Sequence, residues 1–158
     1  MLNIKFAVVA LLVLVPRLAF AAGEILTVIN PTGFGDVVPV GGSCVMDPIT
    51  GNITPASLCL GPGILGEYTI TATASTTVRI RATANSGGPL DKIFEPTLYL
   101  TNNLGHNATN LISGTDVDFD TGTDGIITVY IGGTLTFPAG LLFTSNHTVN
   151  TTLEFNEL

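Results

Sequence analysis

The densest group of chemistry-bearing side chains is a run of carboxylates, Asp116, Asp118, Asp120 and Asp124, with Gly122 among them. Asp at alternate positions followed by glycine suits a calcium loop, because a hard cation collects several carboxylate and carbonyl oxygens. The spacing departs from an EF-hand loop: the glycine comes one position late, and no glutamate closes the loop with a bidentate carboxylate. Val117 and Phe119 alternate with the acids, as the inward side chains of a strand do. The favoured reading is an edge strand whose outward carboxylates discourage pairing with another sheet. Calcium held by Asp116, Asp118, Asp120 and Asp124 is the alternative, and no other cofactor is implied.

Cys44 and Cys59 enclose 14 residues that include Asp47, Pro48, Gly51, Asn52 and Pro55, all turn formers. One disulfide across a loop or hairpin is the natural reading, and closing about 15 residues contributes roughly 3 kcal/mol. Two sulfurs are too few for a structural zinc site. A catalytic thiol would want a histidine beside it, and neither His106 nor His147 sits in a supporting motif. The sequence has no nucleophile elbow, no metal-ligand histidine spacing and no phosphate loop, and paired acids for glycoside hydrolysis cannot be picked from it. A non-enzyme is expected. The Asn-x-Ser/Thr sequons at Asn52, Asn107, Asn146 and Asn150 read as polar strand and loop residues. The chain has no tryptophan, and Tyr68, Tyr99 and Tyr130 fall in strand patterns where core packing is expected.

The first 21 residues read as an export signal. Lys5 supplies the positive end, Phe6 to Val15 is an apolar run too short to span a bilayer, and Ala19, Phe20 and Ala21 form a small-x-small cleavage site. The mature chain is then expected to begin at Ala22, with no membrane span after cleavage, and to reside in the periplasm, at the cell surface or outside the cell. About 137 residues remain, one domain over 22–158. In them Arg79, Arg81 and Lys92 face all twelve carboxylates. Such a surface repels phosphate backbones and anionic lipid, which excludes nucleic acid as a partner.

Few Lys, Glu, Gln and Arg, with much Thr, Gly, Val and Ile, argue for strands over helices. Ile126 to Tyr130 is the firmest strand, its residues all β-branched or aromatic; Gly132 and Gly133 then make either a tight turn or a kink within one long strand, and Pro138 and Gly140 mark a turn. Ile25 to Ile29 is a short strand with Ile25, Thr27 and Ile29 on one face. Val37 to Val40, with Pro39 toward a sheet edge, and Ser43 to Met46, set off by Gly41 and Gly42, follow. Tyr68, Ile70 and Ala72 alternate with polar neighbours, as do Val78, Ile80 and Ala82 with Arg79 and Arg81 turned to water. Adjacency in sequence makes these two a hairpin. Asn85 to Pro89 is loop, Thr97 to Thr101 strand, Asn102 to Thr115 loop with a weak edge strand at Leu111 and Ile112, and Ser145 to Phe155 a last strand with Val149, Leu153 and Phe155 on one face. About nine or ten short strands with regular turns predict an all-β, antiparallel two-sheet β-sandwich, immunoglobulin-like or pilin-like.

The ordered motifs (Ile25 to Ile29, Gly33-Phe34-Gly35, the Cys44 to Pro48 strand with the Gly51 turn, Tyr68 to Ile80, Tyr130 to Leu135) resemble the bacterial domain-of-unknown-function family 4402. The resemblance covers the whole mature chain and implies a secreted β-sandwich related to pilin and spore-coat-U-like subunits. The expected role is a structural, pilin-like or adhesive subunit of the cell envelope, meeting copies of itself or other envelope subunits through strand edges. A soluble secreted module binding calcium or a glycan is the alternative.

Overall fold

The computed structural model describes residues 23–38, 40–86, 92–139 and 148–158. The expected export signal and its cleavage site, Pro39, most of the loop at 85–89, Gly140 and residues 145–147 of the expected last strand lie outside the described residues. The strands are β1 (Ile25–Asn30), β2 (Asp36–Val37), β3 (Val40–Met46), β4 (Ile53–Thr54), β5 (Cys59–Leu60), β6 (Gly66–Thr71), β7 (Thr77–Thr83), β8 (Asn85–Ser86), β9 (Ile93–Asn102), β10 (Asn107–Ile112), β11 (Val117–Asp120), β12 (Ile126–Ala139) and β13 (Thr152–Glu157). All ladders are antiparallel, and among the described residues there is no helix. The expected all-β sandwich is present, with more strands than expected because β2, β4, β5 and β8 are two-residue ladders that composition does not reveal.

β12 is the spine. One edge pairs with β9 from Ile127 to Thr136, while the other pairs first with β6 (Ile126 to Ile131) and then with β3 (Gly133 to Ala139). Two collinear strands thus share one edge, and the change of partner falls at Gly132 and Gly133. A Cβ on Gly132 would lie 2.4 Å from the Met46 carbonyl oxygen and 2.8 Å from the Pro48 nitrogen. One on Gly133, at φ +135°, would lie 2.2 Å from the Glu95 carbonyl oxygen. Both distances are below any real contact, so two glycines are required here. Of the two readings open in the sequence, the kink in one strand is the one realised.

A second sheet, β11-β7-β13, packs its inward residues Val78, Ile80 and Ala82 toward Ile70, Leu100, Ile127 and Val129 of the large sheet. Arg79 and Arg81 lie on its outer face, as expected. The expected β6–β7 hairpin is not formed: β6 lies between β1 and β12, and β7 between β11 and β13, so residues 72–76 arch from one sheet to the other. Thr121, fully buried, holds that arch; its hydroxyl accepts a hydrogen bond from the Thr76 amide at 3.0 Å and donates to the Thr73 carbonyl at 2.8 Å. An arch lets both strands put apolar faces into one core, which outweighs the local convenience of a hairpin.

Pro138 sits where the sequence placed a turn, and Pro96 lies inside a strand expected to begin at Thr97. β9 begins at Ile93 and runs through Pro96, which stands opposite Gly133 of β12 and between the β10 ladder, ending at Thr97, and the β8 ladder, starting at Phe94. β12 continues past Pro138 to Ala139, beyond the end of its β9 ladder at Thr136. β3 likewise starts at Val40, passing through Gly41 and Gly42. The last strand begins at Thr152, although Val149 is buried as expected.

The Cys44–Cys59 disulfide is present, with Cα atoms 6.3 Å apart. It ties β3 to β5, and through β5 the β2–β5 ribbon, to a core that holds Phe34 edge-on to Phe94 at 5.8 Å.

Replacing Gly133 with alanine should destabilise the protein by about 2–4 kcal/mol, since steric clash and an unfavourable φ act together. Urea unfolding checks this; a loss within about 0.5 kcal/mol, the ordinary range for surface changes, would contradict the crowding.

Candidate functional site

Of the four aspartates of the sequence motif, Asp116 lies just before the edge strand β11, Asp118 and Asp120 on it and Asp124 after it, and their carboxylates are separately engaged. Asp118 receives a two-pronged hydrogen bond from Arg79, at 2.7 and 2.8 Å. Asp116 lies 3.7 Å from Arg81, whose other partner is Glu154 of β13 at 2.5 Å. Asp120 accepts from the Gly122 amide at 2.7 Å, and Asp124 accepts from the Ile126 amide at 3.1 Å, as turn-forming aspartates do. Among the described residues no group of three or more His, Cys, Asp or Glu is placed to share a metal ion. The outward carboxylates instead form a cross-strand ladder of charge over the small sheet. His106 is exposed in the turn between β9 and β10, where its amide donates to the Asn102 side chain at 3.1 Å.

The hydrogen bond from Arg79 holds the Asp118 carboxyl below the ordinary carboxylate range. A carboxyl whose folded pKa is depressed adds stability above its unfolded value and loses it as pH falls through the folded one. The contribution is screened by water and salt at this exposed site.

The other unpaired edges differ sharply in how they are protected. β4 and β8 are two residues long, β11 and β13 carry carboxylates, and β10 is broken in its middle by a bulge between Ala108 and Leu111. β1 is the exception. Among the described residues it pairs with β6 alone; it keeps Ile25 to Val28 in unbroken register and carries no charge from Ile25 to Asn30. Ile25, Val28 and Ile29 are 58, 55 and 51% exposed. Half the backbone N–H and C=O groups of such a strand point away from its neighbour.

Register explains the exposure. Val28 pairs with Tyr68, which is buried, so Val28 points toward the sandwich interior and is still open to solvent. Ile25 and Thr27 share the outer face, as expected, and a bulge between Val28 and Asn30 interrupts the register at Ile29. Across the gap, Leu153 and Phe155 of β13 also point inward and are only half buried. The two edges meet at their ends. At one, the Glu157 amide donates to the Glu24 carboxylate; at the other, the Val149 amide donates to the Thr32 carbonyl at 3.0 Å. Between those ends no ladder joins β1 to β13 among the described residues. Val28, Leu153 and Phe155 thus lie partly exposed between two strand edges that are joined by hydrogen bonds at both ends.

No family model, no curated protein and no solved structure matches this chain. Among the described residues no helix is long and apolar enough to cross a membrane. The openness of β1 was not legible beforehand: an apolar run of this length reads equally as a buried strand, and only non-local pairing reveals that one side of it is bare.

Two outcomes are expected. Asp118→Asn should flatten the loss of folding stability as pH falls below the ordinary carboxylate range, measured by urea unfolding across an acid series; an unchanged slope would contradict the Arg79 pairing. Millimolar calcium should leave the melting temperature unchanged, whereas a rise abolished by Asp120→Asn would establish a metal site.

Proposed function

We propose that this chain is a non-enzymatic, exported structural subunit of the bacterial cell envelope, pilin-like in its assembly, that joins its neighbours by strand addition along β1. The observation that carries this reading is the uncharged edge of β1, unpaired among the described residues, with Ile25, Val28 and Ile29 half exposed on it. Adding a strand there would satisfy the outward backbone groups and cover the partly exposed Val28, Leu153 and Phe155. Burying the exposed half of each large apolar side chain contributes about 1 kcal/mol, so affinity would come mainly from backbone pairing and accumulated small terms.

Charge supports the choice of edge. The chain carries −7 overall, so copies repel one another, and β11 and β13 would set carboxylate against carboxylate. Approach along β1 avoids that repulsion. The signal-like N-terminus, the Cys44–Cys59 disulfide and the ordered likeness to family 4402 support export to an oxidising compartment.

The test is the native protein taken from cells that export it, run on denaturing gels with and without boiling and viewed by negative-stain microscopy. A heat-sensitive ladder or fibres is expected. Val28→Lys, which sets an inward-pointing charge on the edge, should abolish the ladder and leave the melting temperature within a few degrees. A single monomer band from the unaltered protein would overturn the reading.

A further inference from the structure

We propose a second site, independent of the β1 edge: a depression on the outer face of the large sheet that binds a neutral pyranose sugar. Its volume is about 510 Å³, and it lies between the sheet and the turn that follows β3. The floor is set by register. Tyr130 pairs with Tyr99, Gly132 with Thr97, and Thr134 with both Glu95 and Val45, so these residues share the outer face in successive rows. Gly132 is the position where a side chain would strike Met46, Asp47 and Pro48. Its missing side chain allows the turn to fold against the sheet and form a wall.

That wall is ordered. The Asp47 carboxylate accepts hydrogen bonds from the Ile49 amide at 2.7 Å and the Thr50 amide at 2.9 Å, and the Asp47 amide donates to the Asn52 carbonyl at 2.9 Å. Thr50, Asn52, Thr54 and Thr97 line the depression with hydroxyl and amide groups, and Val45 lines it with an apolar surface 46% exposed. One row from Thr97, the rings of Tyr99 and Tyr130 stack with centroids 5.9 Å apart and planes 22° from parallel. On the other side of Thr97, its register partner Ile112 is 73% exposed.

The ligand class follows from this lining. Among the described residues no lysine or arginine lines the depression, and the Asp47 carboxylate borders it on a chain of net −7, which disfavours phosphate, sulfate and acidic sugars. One carboxylate with an oxygen already bonded to two amides is a poor start for a metal site. A hydrocarbon chain would strand the four polar side chains without partners. A neutral sugar ring matches both halves of the surface: its hydroxyls exchange hydrogen bonds with Thr and Asn, and its apolar C–H face lies on Val45.

The test is a two-dimensional NMR titration of the folded, disulfide-bonded protein with oligosaccharides of glucose, galactose, mannose and N-acetylglucosamine. At least one is expected to give saturable shifts grouped at Val45, Thr50, Asn52 and Thr97, weakened about tenfold in Thr97→Val. Thr97→Val keeps a β-branched side chain in β9 and so separates lost binding from lost folding. Failure of all four sugars at millimolar concentration, or binding undiminished in Thr97→Val, would overturn the site. Neither result bears on the β1 edge, which is read from assembly.

Discussion

The structure depends on a point of crowding at Gly132 and Gly133, where three segments of backbone converge closer than any side chain would permit. The Met46 carbonyl approaches from one edge of β12 and the Glu95 carbonyl from the other, each within about 2.5 Å of where a Cβ would sit. This close approach lets a single 14-residue strand exchange β6 for β3 along one edge while keeping β9 along the other. Without it the disulfide-bonded upper part and the lower sandwich would need separate cores. With it, Phe34, Met46, Leu135 and Phe137 are continuous with Ile70, Ile127 and Val129 in one buried cluster.

The same arrangement determines what the surface offers. Because β12 and β9 take the centre of the large sheet, β6 has only β1 to cover its far edge, and among the described residues no strand pairs beyond β1. The small sheet supplies three strands, too few to close the sandwich over Val28. On the outer face, the approach that excludes a side chain at Gly132 brings the Asp47 turn over the sheet and creates the depression beside Tyr99 and Tyr130. An open edge and a walled outer face thus follow from one packing constraint, and the ion-paired ladder of Arg79, Arg81, Asp118 and Glu154 keeps the opposite sheet polar.

Much of this was legible in the residues, and the failures have physical causes. Period-two alternation correctly identified the inward faces of Tyr68 and Ile70 and of Val78, Ile80 and Ala82, because burial on one face imposes that pattern. The cysteine spacing pointed to the bond that is present. Pairing was less legible, since it is decided by distant partners: the β6–β7 arch needs Thr121, 45 residues beyond Thr76, to satisfy its amide. Pro138 marked a turn only on the assumption that both edges of its strand were paired. Of the tyrosines expected in the core, Tyr68 is there, while Tyr99 and Tyr130 stack across strands on the outer face, where alternation alone cannot distinguish an inward aromatic from an outward pair. The aspartate run had a recognisable metal spacing, but strand geometry and two arginines on the neighbouring strand claimed its first members.

Residue-level hydrogen exchange on the exported protein, compared between dilute monomer and assembled material, tests most directly the claim that β1 is the joining edge. The account predicts that amides of β12 and β9 exchange slowly in both states, while β1 amides turned away from β6 exchange fast in the monomer and become protected on assembly. Protection that appears on β10, β11 or β13 while β1 remains fast would contradict it.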